Sequence, residues 1–138
     1  MKQYHLILIV LSIALAAGCA SKKEKVETAA SQKAGEWPEM ESFHMVMAEA
    51  YHPFKDSANL EPVKRLAEDI AKESSAWAAA TLPEAVNNEN MKSKLEKLKS
   101  DSRTLADQIK SGATDEQIGT SLTALHESFH GIMEAWHR

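Results

Sequence analysis

The chain has 138 residues and a formal net charge of −4, with 16 basic side chains against 20 acidic ones. No cluster of basic residues is interleaved with aromatic ones, so the sequence argues against nucleic acid as a partner. A single cysteine excludes a disulfide within the chain, and the fold must therefore be stabilised by packing alone.

The first 18 residues predict an export signal rather than a part of the fold. Lys2 precedes an apolar run over residues 6–17, which is shorter than the about 20 residues that a membrane span needs. The run leads into Ala16-Ala17-Gly18-Cys19, which resembles the cleavage site of bacterial lipoproteins. That resemblance implies a signal peptide over 1–18, acylation of Cys19 and a lipid anchor in the cell envelope, on a periplasmic or extracellular membrane face.

Residues 19–36 predict a tether between this anchor and the folded part of the chain. After Cys19 the segment contains one valine and no aromatic side chain, and the rest is small, polar or charged. Such a composition buries too little apolar surface to fold. We therefore predict a flexible tether over 19–36 and one folded domain over 37–138.

The domain shows the periodicity of amphipathic helices. Apolar residues recur three and four positions apart in four segments, over residues 40–54, 63–77, 91–109 and 118–136. Short connections between helices of this length favour antiparallel neighbours. The sequence therefore predicts an all-α fold, an antiparallel up-down-up-down four-helix bundle.

Local signals mark where these helices begin and end. Pro53 predicts an end of the first helix near His52, because the residue before a proline avoids the α conformation. Thr114 and Gln117 have the spacing of a capping box, which predicts the start of the fourth helix.

Histidines are confined to the first and last predicted helices. Helix 1 contains His44 and His52, whereas helix 4 contains His126 and His130 and is followed by His137. His126 and His130 lie one turn apart on the flank of the apolar face, a spacing of about 6 Å at which two imidazoles can chelate one ion. His44 has the same flanking position on helix 1 and faces the pair in one of the two bundle hands.

These positions predict a transition-metal site between the first and last helices. Its ligands are His44, His126 and His130, with His52 as a fourth candidate. Imidazole suits zinc, copper and nickel, with zinc or copper favoured, and the thioethers of Met45 and Met47 would suit Cu(I). No nucleophile or base is directed at a pocket, so we expect binding, buffering or sensing rather than catalysis.

His126-Glu127-Ser128-Phe129-His130 also spells the motif of zinc peptidases, in which two histidines hold zinc and the glutamate is the base. Those families need another ligand downstream, and only eight residues follow His130. We therefore predict that the protein is not an enzyme.

The same five residues carry a resemblance to the cytochrome c-prime-like four-helix bundles, whose last helix bears Cys-x-x-Cys-His. The layout of residues 37–138 is similar too, with a methionine-rich first helix and a second helix that ends at a proline-containing loop. Here His126 and Phe129 replace both cysteines, which excludes covalent haem, whereas His130 keeps the place of the haem-ligating histidine.

Two alternatives to a bare metal ion stay open. The resemblance implies that a non-covalent haem would be held by His130 and a helix 1 methionine, Met40 or Met47. An anchored acidic bundle could instead be a cofactor-free interaction module that uses Trp136 or helix 1. Its protein partner is not identified by the sequence, and a homodimer is compatible with it.

Overall fold

The computed structural model describes residues 36–138, and no strand occurs among them. They form four α-helices, α1 (Pro38–Ser57), α2 (Glu61–Ala79), α3 (Glu89–Lys110) and α4 (Asp115–Trp136), with a short 3-10 helix at Glu84–Val86. Each α-helix packs against the next, and α1 also packs against α4. The predicted all-α four-helix bundle is confirmed.

The start of α4 is fixed by the predicted capping box. The hydroxyl of Thr114 accepts a hydrogen bond from the backbone N–H of Gln117 at 3.2 Å. The side-chain oxygen of Gln117 in turn accepts from the backbone N–H of Thr114 at 2.9 Å. The start of α3 has a similar cap, where the side chain of Asn88 accepts from the backbone N–H of Met91. Each cap satisfies helix N–H groups that have no partner within the helix.

The predicted end of α1 near His52 is wrong, since the helix continues for just over one turn beyond it. Pro53 lacks the N–H that would bond the carbonyl of Glu49, and Glu49 is exposed, so water can reach that carbonyl. Phe54 is half-buried and lies over Gly119 of α4. This tertiary contact stabilises the last turn of α1, and the presence of Pro53 alone could not predict it.

A cluster of aromatic side chains fills the core beneath α1 and α4. Phe43, Trp77 and Phe129 are at most 1% exposed. Their ring centroids lie between 5.5 and 6.2 Å apart, in the range of favourable aromatic pairs. Because the three rings belong to α1, α2 and α4, the cluster holds the two histidine-bearing helices against the rest of the bundle.

Contacts between α1 and α4 pair in opposite order along the two helices. The rings of Trp37 and Trp136 have centroids 5.4 Å apart, and those of His44 and Phe129 are 5.2 Å apart. An advance of seven residues on α1 thus matches a retreat of seven on α4, so these two helices run antiparallel. The up-down-up-down order of the whole bundle stays a prediction.

None of the helices within residues 36–138 has both the length and the apolar character required of a membrane span. The predicted signal peptide over 1–18, the acylation site Cys19 and all but the last residue of the predicted tether lie outside the described residues. These features stay predictions.

Candidate metal site

The predicted ligands lie along the seam between α1 and α4, which we define as residues 37–54 and 119–136. His126 and His130 are in direct contact there, with their Nε2 atoms 3.2 Å apart. Both side chains are half-buried. Helical periodicity places residues four apart on one face, so this contact follows directly from the spacing of the pair.

The ring of His126 is held in place from both sides. Tyr51 of α1 stacks on it with ring centroids 3.7 Å apart and an interplanar angle of 12°. His130 meets it edge to face, with centroids 4.4 Å apart. The short distance between the Nε2 atoms fits an N–H···N hydrogen bond, in which one ring donates and the other accepts. The accepting ring must therefore be neutral.

The pKa of His126 is lowered from about 6.5 to about 4. Burial of the ring is the largest cause, followed by the positive charges of His130, His52, Lys55 and His44. At neutral pH the imidazole of His126 is consequently uncharged, and it keeps a lone pair that a metal ion can use.

His44 lies near the histidine pair without joining it. Its exposed ring stacks on Phe129 with an interplanar angle of 23°. Phe129 also meets His130 edge to face, with centroids 5.7 Å apart. Both imidazoles therefore contact the same phenyl ring, and the stacking fixes the orientation of His44 beside the pair.

The remaining predicted donors have different surroundings. His52 is exposed, and α1 continues past it in regular helical geometry. Met47 is wholly buried in the core, whereas Met45 is 66% exposed. Their thioethers are therefore used for core packing in one case and surrounded by solvent in the other.

Two methionines that the predicted zinc or copper site did not include lie beside His44, although Met40 was a candidate haem ligand. Met40 and Met133 are half-buried and line one cleft together with His44 and His137. The signal was present in the sequence, because each methionine precedes a histidine by four residues. Nothing in the local spacing showed that the two pairs share a cleft, since that depends on how α1 and α4 meet.

Across residues 36–138, no three His, Cys, Asp or Glu side chains converge as a ligand set for a metal ion. The structure thus brings together His126 and His130, and it leaves His44 and His52 as neighbours of that pair. The candidate metal centre consists of two imidazoles in contact, rather than the three that the sequence predicted.

No family model, no curated protein and no solved structure matches this chain. The resemblances to bacterial lipoproteins and to the cytochrome c-prime-like bundles therefore depend only on the motifs quoted above and stay predictions. The functional argument has to be made from the geometry of the seam.

Proposed function

We propose that the protein binds a divalent transition metal ion, zinc in the first instance, through His126 and His130. The observation that carries this proposal is the 3.2 Å separation of their Nε2 atoms. With zinc–nitrogen bonds of about 2.0–2.1 Å, two ligands of a tetrahedral site stand about 3.3–3.4 Å apart. The pair therefore needs only a small adjustment to hold an ion between its nitrogens.

The protonation state of the pair suits this role. Because the pKa of His126 is lowered to about 4, protons compete little for this ring at neutral pH. The ring that donates the N–H···N bond has only to carry its proton on Nδ1 instead of Nε2. Both Nε2 lone pairs then face the ion, and no net charge has to be removed from the seam.

Two imidazoles leave two positions of a tetrahedral ion to be filled. Water fills these positions in our proposal, with His52 or His44 as an additional ligand after rotation of an exposed side chain. Structural zinc sites are closed by four protein ligands, whereas sites that exchange or react keep open positions. An open two-histidine site favours reversible binding, as in buffering, sensing or transfer of the ion, over a structural role.

The contacts between α1 and α4 support the two alternatives, a non-covalent haem and a cofactor-free interaction module, less well. A haem between Met47 and His130 would have to open a core in which Met47 is wholly buried. The other candidate, Met40, lines a cleft that does not include His130. A cofactor-free interaction module would be expected to expose a contiguous apolar patch. Within residues 36–138, Met45 is the one large hydrophobic side chain that is exposed.

Isothermal titration with Zn²⁺ and Ni²⁺ tests the proposal. We compare the wild type, the variant His126→Ala/His130→Ala and the control His137→Ala, which removes an exposed imidazole outside the pair. Removal of a single outer-shell partner of a metal ligand lowers metal affinity about 10–100-fold, and the double variant, which lacks both direct ligands, should lose more zinc affinity than that. The control should bind zinc like the wild type.

Circular dichroism of each variant checks that the helices are retained, because loss of folding would mimic loss of a site. Equal zinc affinity in the wild type and a folded double variant would exclude the histidine pair as the site. Bound zinc should also raise the melting temperature of the wild type, by the equivalent of about 2.7 kcal/mol at 100 times Kd. Chelation of the ion with EDTA should remove that gain.

We also propose that the ion is bound at a membrane face, because Cys19 follows a signal-like segment. The variant Cys19→Ser tests this location. The wild type should carry an acyl mass on Cys19 and sediment with membranes, whereas the variant should lose both properties. An unmodified wild-type cysteine in the mass spectrum would remove the lipoprotein proposal and leave the metal proposal intact.

A further inference from the structure

A second part of the seam combines thioethers with imidazoles. A cleft of about 630 Å³ opens between the start of α1 and the end of α4. Its walls include Met40 and His44 from α1, with Met133 and His137 from the end of α4. Neither His126 nor His130 lines this cleft. It is therefore separate from the pair proposed above as the zinc site.

The register of α1 against α4 places the two methionines level with each other. Trp37 contacts Trp136, and His44 contacts Phe129, so at this end of the seam the residue numbers of the two contacting pairs have the same sum. By the same register, the residue of α4 that faces Met40 is Met133. Two thioethers, one from each helix, thus stand at the same height on either side of one cleft.

Each methionine is followed four residues later by a histidine that lines the same cleft. A spacing of four puts both side chains on one helical face, about one turn apart. Because the helices are antiparallel, His44 lies one turn to one side of the methionine level and His137 one turn to the other. The two histidines therefore flank the level of the two methionines, one on each side, and all four side chains line the cleft.

Met40 and Met133 pack against the edge of the core, whereas two other methionines lie inside it. Met47 and Met91 are at most 2% exposed, as expected for side chains that fill space among apolar neighbours. Met40 and Met133 are half-buried and border open space. A ligand in the cleft can accordingly reach these two side chains without entering the core.

We propose that this cleft is a second metal site, specific for a soft monovalent ion, with Cu(I) as the ion and Ag(I) as its experimental substitute. Thioethers are neutral soft ligands that select Cu(I) over harder ions, and imidazole also binds copper. Trp136 lies in the same wall and adds an aromatic face that attracts a cation. The site goes beyond the zinc-binding function, since it uses different donors and selects a different class of ion.

Titration with Ag(I), and with Cu(I) under anaerobic conditions against a chromophoric competitor, tests the second site. The variant Met40→Leu/Met133→Leu preserves the size and apolar character of both side chains while removing the sulfur atoms. We expect its affinity for either ion to fall by more than about tenfold. The control Met45→Leu removes an exposed methionine outside the cleft and should bind both ions like the wild type.

The two proposals are separated by crossing ions with variants. The leucine double variant should keep wild-type zinc affinity, and His126→Ala/His130→Ala should keep wild-type Ag(I) affinity. If the alanine variant loses zinc binding but keeps Ag(I) binding, the two sites are independent, and both proposals are supported. Ag(I) binding that is equal in the wild type and the leucine variant would overturn the second site.

Methyl NMR gives a test that does not depend on any variant. In protein labelled at the methionine methyl groups, one equivalent of Ag(I) should shift the signals of Met40 and Met133. The signals of Met47 and Met91, which are buried in the core, should stay in place. Shifts confined to Met45, or no shift at saturating Ag(I), would contradict the proposal.

Discussion

The α2–α3 interface and the α1–α4 seam join helices of one bundle through different side chains. Between α2 and α3, the guanidinium of Arg103 donates to both carboxylate oxygens of Glu68, at 2.9 and 2.7 Å. The small side chains of Ala67, Ala71 and Ala106 allow these helices to pack closely. Across the seam the contacts are made by aromatic rings, imidazoles and thioethers.

Charge is distributed unequally between the two regions. Ion pairs join α1 to α2, α2 to α3 and α2 to α4, whereas none joins α1 to α4 within the described part of the chain. The imidazole and thioether donors along the seam suit transition metals, and none of them takes part in an ion pair within the described residues. The acidic balance of the chain as a whole therefore says little about where it would bind a cation.

The largest effect on the seam should come from removal of its central aromatic ring. Phe129 is 1% exposed and contacts Phe43, Trp77 and His44. Phe129→Ala should cost about 3–5 kcal/mol of unfolding free energy, because it leaves a cavity in the core. Phe129→Leu, which fills most of that space, should cost less than about 1.5 kcal/mol. Urea denaturation measures both, and a cost below about 1 kcal/mol for the alanine variant would show that the seam is loosely packed.

A matched pair of glycine substitutions on α4 should give the next largest effect. A Cβ at Gly119 would lie 2.8 Å from the ring of Phe54, whereas at Gly131 the nearest atom is the mobile Lys94 amine at 3.7 Å. Gly131→Ala should gain up to about 1 kcal/mol from helix propensity. At Gly119 the same gain is opposed by a steric cost of about 1–3 kcal/mol.

Thermal denaturation of the two alanine variants measures this difference directly. We expect Gly131→Ala to melt above the wild type and Gly119→Ala to melt below it. Equal melting temperatures would mean that Phe54 does not lie over Gly119, and that the last turn of α1 is held in some other way.

A smaller effect should follow from the titration of His126. Its pKa is about 4 in the folded protein and 6.5 when unperturbed, so between these values the unfolded chain binds more protons. The free energy of unfolding should therefore fall by about 1 kcal/mol as the pH falls from 6.5 to 4. This is less than the whole pKa shift would give, because solvent partly screens the ring. Urea denaturation at pH 7 and pH 4.5 should show a weaker pH dependence in His126→Asn than in the wild type. The carboxylates common to both proteins provide the internal control.

The smallest effect should come from the exposed ion pair between α2 and α3. Arg103→Gln removes the contact with Glu68, whose pKa is lowered chiefly by its hydrogen bonds from Arg103. Solvated pairs of this kind contribute little to stability, so the loss should be smaller than any of those above. It should disappear in about 1 M salt, where charges are screened within about 3 Å. A loss that persists at high salt would contradict this assignment and indicate a packing role for Arg103.

Features that depend on a few neighbouring residues could be predicted from the sequence. The cap of Thr114 and Gln117 and the contact between His126 and His130 are both of this kind, because each involves residues three or four apart on one helix. The all-α bundle followed from the same periodicity, applied to four segments.

Features that depend on how two helices meet could not be predicted in this way. The continuation of α1 past Pro53 depends on the packing of Phe54 against α4. The position of His44 depends on its stacking against Phe129, and the pairing of Met40 with Met133 depends on the register of the seam. Helical periodicity predicted that His44 lies on the flank of α1 that faces α4. It could not predict that the His44 side chain contacts Phe129 instead of the histidine pair.

The most direct test of the account is an anomalous difference map at the zinc absorption edge, from crystals of the zinc-bound protein. The account predicts one peak at about 2.0–2.1 Å from the Nε2 atoms of both His126 and His130. A zinc peak elsewhere on the molecule, with these two nitrogens still hydrogen-bonded to each other, would contradict it.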